Sequence, residues 1–178
     1  MTLPYPDPPL RGSTFVLRPF EARDFGAAAA FSQDQATALW VPPLPADDPA
    51  GVVELFEQYR QEGALLHLAI ADRASDSYLG EVTVMMCDHQ VGEFGCGVVG
   101  QARGRGIATE ALRLLVHWSV ATLDICRLQV MVAQENTPAL LLAERVGFRR
   151  EGVLRAYWGH EDGRVDAVML SLLPTELT

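Results

Sequence analysis

The sequence predicts one mixed α/β domain, a sheet with helices on its faces. Three observations carry this. Short apolar runs separated by turn residues fill the first hundred positions after an opening helix pair, the hydrophobic period becomes helical after Gly106, and a strand, helix, strand, strand series follows. A chain of 178 residues is long enough for one well-filled core and does not require a second.

Residues 1–13, with Pro4, Pro6, Pro8 and Pro9, read as an extended proline-rich arm, and residues 14–178 as the domain. The first ten residues have neither a basic region nor an apolar core, so they are not read as a signal peptide. Residues 14–18 form a first strand, and after Pro19 the acidic start of 21–31 opens a helix. The prolines of 41–50 demand a loop. Val52, Leu55, Phe56 and Tyr59 mark one stripe of a second helix over 51–61. Residues 64–71 and 78–86 are strands joined by the turn-rich 72–77, and 91–99 is a third strand of that series. Ile107, Ala111, Leu114, Leu115 and Trp118 then fall on one face of a long helix. Residues 127–133 are a buried strand and 137–146 a helix ended by Gly147. Residues 148–158 and 165–173 form a hairpin over Glu161, Asp162 and Gly163.

The net charge of -9 argues against nucleic acid, whose phosphates such a surface repels. Every basic residue is Arg, with 7 Arg against 4 acids in 101–150 and an acidic excess on either side. That asymmetry suggests an anionic ligand near 101–150 and a cationic one facing the rest. Cys87, Cys96 and Cys126 lack metal or redox spacing and read as reduced, small core residues of a cytoplasmic protein. No run is long enough to span a bilayer. His67, His89, His117 and His160 show no ligand spacing, so no metal is expected.

Two overlapping patterns near residue 100 suit phosphates. Gly95, Gly97 and Gly100 spell a dinucleotide fingerprint, but that motif must pass directly from strand to helix, and here 101–106 intervenes. Gln101, Gly104 and Gly106 sit instead where a strand ends and the long helix begins. There glycines admit a pyrophosphate to the backbone, and the free N–H groups and dipole of the first helical turn favour its charge. Arg103 and Arg105 add positive charge nearby. A glycine-rich turn with two solvated arginines has the same spacing.

Gln101, Gly104 and Gly106, followed by 107–112, resemble the coenzyme A motif of the GNAT superfamily of N-acetyltransferases; Asn136 and Gly147-Phe148 match its next segment. Leu17-Arg18-Pro19, the strand at 92–95, and the closing 151–155 and 162–166 resemble the branch of ribosomal-protein N-terminal acetyltransferases. The likeness runs from residue 14 to 173. It implies a central, mostly antiparallel mixed sheet whose fourth and fifth strands, 91–99 and 127–133, splay apart, with helices on both faces. Acetyl-CoA is the implied cosubstrate, with no metal, and its pantetheine arm lies in the wedge. By that analogy Val98 and Val99 pair with the arm, the amides from Arg103 through Arg105, Gly106 and Ile107 to Ala108 hold the pyrophosphate, and Asn136 bonds the arm. Asn136 also suits the N-cap of its own helix.

An amine of pKa about 10 is almost wholly protonated at pH 7, so direct attack on a thioester needs a base. Glu93, beside the wedge, is the first candidate and Glu81, on the neighbouring strand, the second; a solvated or ion-paired carboxylate is the plainer role for each. The family's thiolate acid, a Tyr or in this branch a Ser, falls on Ala143 and Ala139, so that role does not carry over. Tyr157 is the substitute, or simply a packing aromatic. The expected activity is acetyl transfer to a primary amine, a protein N-terminus or a small cationic amine, in a ternary complex. The alternative is an acyl-CoA-binding module or sensor with reduced catalysis. A membrane partner is not expected; a homodimer is possible by resemblance to the branch.

Overall fold

The computed structural model describes residues 2–34, 44, 48–160 and 163–177. Most of the proline-rich loop expected over 41–50 lies outside the described residues, as do Glu161 and Asp162 of the expected hairpin turn. The strands are β1 Phe15–Pro19, β2 Leu65–Asp72, β3 Tyr78–Cys87, β4 Val91–Val98, β5 Arg127–Ala133, β6 Arg149–His160 and β7 Gly163–Leu172. The helices are α1 Phe25–Gln33, α2 Pro49–Glu62, α3 Ile107–Thr122 and α4 Thr137–Val146. Seven strands form one sheet in the order β1-β2-β3-β4-β5-β7-β6, antiparallel throughout except for the parallel β4–β5 pair. Parallel neighbours need a crossover, and α3 supplies it.

Period-two alternation sorts the strand residues. Leu66, Leu68, Val82, Val84, Phe94, Leu128 and Leu170 form the main core with Ile107, Leu112, Leu115 and Val116 of α3 and Leu140 and Ala143 of α4. Phe20, Phe25, Phe31, Val52, Ala69 and Tyr78 form a smaller core under α1 and α2. On α3 the buried stripe is turned from the one the period suggested. Leu112, Val116 and Ser119 join Ile107, Ala111 and Leu115 inside, while Leu114 and Trp118 are half-buried at its edge.

Two helix boundaries differ from expectation, each for a local reason. The helix expected over 21–31 is split into a 3₁₀ turn, Ala22–Asp24, and α1, because Asp24 folds back to accept the Glu21 N–H at 2.9 Å. Helix α2 starts earlier than expected, with Pro49 in its first turn. The Asp48 carboxylate accepts the Gly51 N–H at 2.8 Å, which makes Asp48 its cap. Its stripe is also narrower: Val52 is buried, but Leu55 and Tyr59 are exposed. Of the three cysteines, Cys87 and Cys96 are partly buried and Cys126 is exposed, so Cys126 is not a core residue. The arm is docked. Leu3 is buried, its N–H bonds the Arg60 carbonyl at 3.0 Å, and the Arg60 guanidinium lies 4.5 Å from the Tyr5 ring.

One buried ion pair ties β1 to the turn before α1. Arg18 grips Asp24 through two N–H···O bonds of 2.7 and 2.9 Å, and Asp24 is only 2% exposed. The Arg18 Nε also reaches Asp76 at 2.9 Å, beyond the end of β2. Removing the cation leaves a buried carboxylate unpaired, so Arg18→Met is expected to lower stability by about 3–5 kcal/mol. Denaturant unfolding measures it, and Arg18→Met with Asp24→Leu should recover much of the loss.

Candidate active site

Strands β4 and β5 pair only at Val91↔Arg127, Gly92↔Leu128 and Glu93↔Gln129. Beyond that point β4 continues along β3 to Val98 and β5 continues along β7 to Ala133. The Val99 N–H donates to the Leu79 carbonyl at 2.9 Å, in register with the β3–β4 ladder. Main-chain groups alternate sides along a strand, so those of Phe94, Cys96 and Val98 face away from β3, into the opening. By the same alternation, the Gln134 N–H bond of 3.0 Å to the Asp166 carbonyl leaves the main chain of Met131 facing β4. Two strand edges therefore confront each other across a wedge with its apex at Glu93 and Gln129.

Val99 is not one of the wedge residues, contrary to expectation. Its N–H is used by Leu79 and its carbonyl accepts the Ala102 N–H at 2.9 Å, which starts the 3₁₀ turn Gly100–Ala102. Sequence reasoning ran the strand one residue beyond the end of β4 and did not single out Cys96, whose main chain faces the opening.

The wedge opens towards the start of α3. Gly104 and Gly106 have φ of 72° and 77°, a region costly for any residue with a Cβ. Gly106 is the N-cap, and no side chain caps the helix, so the N–H groups of Ile107, Ala108 and Thr109 lack the side-chain acceptor such ends usually carry. The first-turn carboxylate, Glu110, is drawn instead to Ser13, accepting its N–H at 2.8 Å and its hydroxyl at 2.7 Å. Gln101 is exposed. Arg103 pairs with Asp34, beyond α1, at 2.7 Å. Arg105 lines a shallow cleft with Ser13, Thr14, Asp72 and Arg73. Gly95 and Gly97 lie inside β4 and no helix follows them directly, which removes the dinucleotide reading. Asn136 is the cap of α4, its Oδ1 accepting the Ala139 N–H at 3.2 Å.

The three acid–base candidates are not brought together. Glu93 sits at the wedge apex, half-buried, and its Oε2 accepts from Gln129 Nε2 at 3.0 Å. Glu81 lies one strand over, opposite Gly97, and its Oε2 holds both His67 Nε2 at 3.0 Å and the Tyr78 hydroxyl at 2.9 Å. Burial pushes the Glu81 carboxyl up, but those bonds outweigh it and leave it below the ordinary range. Tyr157 is exposed on the edge strand β6, edge-on to Trp158, with β7 and β5 between β6 and β4. On α4, Ala143 is buried and Ala139 packs against the main core. Among the described residues no three His, Cys, Asp or Glu side chains gather as a metal site requires, and no helix is long and apolar enough to cross a membrane.

A sheet opened between a parallel pair, with an uncapped glycine-led helix at its mouth, is the architecture of one acyltransferase superfamily. Residues 14–149 match the acetyltransferase (GNAT) domain family, and the chain belongs to it. It is an N-acetyltransferase. An uncharacterized N-acetyltransferase, p20, of Bacillus licheniformis is 26% identical over 166 residues, 90% of this chain and 93% of its own. Among solved structures, a putative ribosomal-protein-serine acetyltransferase from Vibrio cholerae superposes with a TM-score of 0.81 at 19% identity, covering 96% of this chain and 99% of that one. A spermidine N-acetyltransferase from Vibrio cholerae, in complex with CoA and spermine, superposes at 0.79 and 22% identity, covering 93% and 98%.

The Cys96 thiol donates to the Ala108 carbonyl at 3.6 Å. Burial, then the charge of Glu81, pushes it far above the ordinary thiol range, so it is a poor nucleophile despite its place on β4. Alkylation with iodoacetamide at pH 8, followed by mass mapping, is expected to modify exposed Cys126 first, Cys87 more slowly and Cys96 last. Early modification of Cys96 would contradict this.

Proposed function

We propose that the enzyme binds acetyl-CoA in the wedge and transfers the acetyl group directly to a primary amine, with Glu93 as the base. The observation that carries this is the convergence of β4 main chain that no strand pairs, the glycine-led start of α3 at its end and one carboxylate at its apex. Acetyl-CoA is the substrate that supplies the thioester carbonyl. Its pyrophosphate suits the amides from Gly104 to Ala108, which sit on a backbone that only glycines at 104 and 106 take without strain; the Arg103 N–H, expected to join them, is used by the Gly100 carbonyl at 3.2 Å. Its pantetheine amides suit the main chain of Cys96 and Val98, as an added strand would.

Glu93 removes a proton from the incoming ammonium, and the neutral amine attacks the carbonyl carbon. A main-chain N–H of the wedge faces the oxygen that gains charge. The carbon–sulfur bond breaks, the nitrogen gives up its remaining extra proton to solvent, and the thiolate takes a proton from solvent. Ala139 and Ala143 have no proton to give, and holding both substrates in line can supply several kcal/mol without a protein acid.

The acceptor class is a cation, a small amine or a protein N-terminus. The acidic excess outside 101–150 supports it, as do structural neighbours described as acting on spermidine or on ribosomal protein.

Calorimetry with acetyl-CoA and free-thiol release with an amine panel test this. Gly104→Val forces a β-branched residue to positive φ, about 1–3 kcal/mol of strain, and is expected to weaken acetyl-CoA binding at least tenfold. Glu93→Gln is expected to bind acetyl-CoA normally and to turn over about 10²–10⁴-fold more slowly. Binding with no release for any amine would favour a coenzyme-binding module, and no binding would end the reading.

A further inference from the structure

We infer that Gln129 is the positioning residue for Glu93, acting as a neutral donor that aims the carboxylate into the wedge; this rests on the reading of Glu93 as the base.

The pair occupies the last rung of the β4–β5 ladder, so their side chains leave the sheet on the same face. Gln129 Nε2 donates to Glu93 Oε2 at 3.0 Å, and Gln129 Oε1 accepts from Arg127 Nε at 3.4 Å. This arrangement admits a single orientation of the amide. A guanidinium can only donate and a carboxylate can only accept, so the Gln129 oxygen must face Arg127 and its nitrogen Glu93.

The charge of Arg127 is used elsewhere. Its two terminal nitrogens grip Glu151 at 2.9 and 2.6 Å, and the Ser171 hydroxyl donates to the same carboxylate. Those bonds, Arg127 first, hold the Glu151 carboxyl down at about 2, so the ion pair persists across the working range of pH. Glu93 is thus fixed by a neutral amide two bonds removed from the cation. A cation in direct contact would fix the carboxylate as well but would favour its charged form and weaken it as a base. A neutral donor orients with less of that loss.

The other neighbours of Glu93 do not do this work. Met85 lies opposite on β3 and carries no charge. Cys87, at the end of β3, has its thiol pushed up by burial, then by Glu93 and Asp88, which marks those two acids as the nearby negative charges.

The test is a double-mutant cycle of Gln129→Leu with Glu93→Gln, read as kcat, KM for acetyl-CoA, calorimetric affinity and the pH profile of kcat/KM. Gln129→Glu, of the same shape, serves as a second variant should the leucine variant fold poorly. Expected for Gln129→Leu are a fall in kcat of about tenfold, unchanged acetyl-CoA affinity and an acidic limb moved to higher pH. In the Glu93→Gln background it should cost less than twofold. Gln129→Glu sets two carboxylates together and should move the acidic limb further in the same direction.

An equal loss in both backgrounds, or a loss of acetyl-CoA affinity with an unmoved pH profile, would overturn the inference and reduce Gln129 to a clasp on the sheet. An inactive Glu93→Gln beside a fully active Gln129→Leu would overturn it alone. A fully active Glu93→Gln would bring down the base reading and the inference together.

Discussion

The rest of the structure depends on an unmet requirement of the backbone. Buried peptide groups must be hydrogen-bonded, and a sheet meets that demand strand by strand. Here the demand is met on the outer sides of β4 and β5, by β3 and β7, and abandoned between them after Glu93 and Gln129. The gap persists because its walls are held from behind. Phe94 of β4 and Val130 and Val132 of β5 are buried against the core that includes α3 and α4, so closing the wedge would mean pulling those side chains from their packing. An extended ligand with its own amides satisfies the exposed edges without that cost.

The crossover sets a helix N-terminus, whose dipole favours negative charge, at the same place. A parallel connection must climb back over the sheet, and α3 does so starting just beyond the end of β4. Its N-terminus therefore falls at the mouth of the wedge. A cap such as Asp48 on α2 or Asn136 on α4 would occupy its N–H groups, and a glycine stands in that position instead. Helix α1 likewise has no side-chain cap, but there the N-cap carboxylate, Asp24, is engaged by Arg18, whereas at α3 a glycine leaves the end open.

Much of this could be read before any coordinates. β5 and α4 fall where the sequence set them, because alternation in 127–133 and the Asn136 and Gly147 boundaries are local signals. The glycine-led turn before α3 was legible from Gln101, Gly104 and Gly106 and from a change of period. What was not legible depended on partners distant in sequence. The expected stripe of α3 was off by a fraction of a turn because packing against β3 and β4, not apolar content, decides which face is inside. The split before α1 follows from Arg18 reaching Asp24. Glu81 and Glu93 looked alike as strand carboxylates one strand apart. Only their neighbours separate them: an imidazole and a phenol share one oxygen of the first, whereas a single amide touches the second. No periodicity reports such partners.

Charge acts differently at long and at short range on an anionic coenzyme and on the cationic amine proposed as acceptor. A net charge of -9 draws a cationic amine from a distance and repels a polyanionic coenzyme. At physiological salt that field decays over about 8 Å, so it governs encounter more than the bound state. Within the site the balance is reversed. Main-chain N–H groups at the start of α3 carry partial positive charge, and the carboxylate of its first turn, Glu110, is hydrogen-bonded to Ser13 rather than to them. Such donors act at contact distance and belong to the backbone, so they hold an anion even where the surrounding surface is acidic. On the reading of the wedge as the acetyl-CoA site, the coenzyme is recognised by geometry, and the acidic surface is left to select the amine.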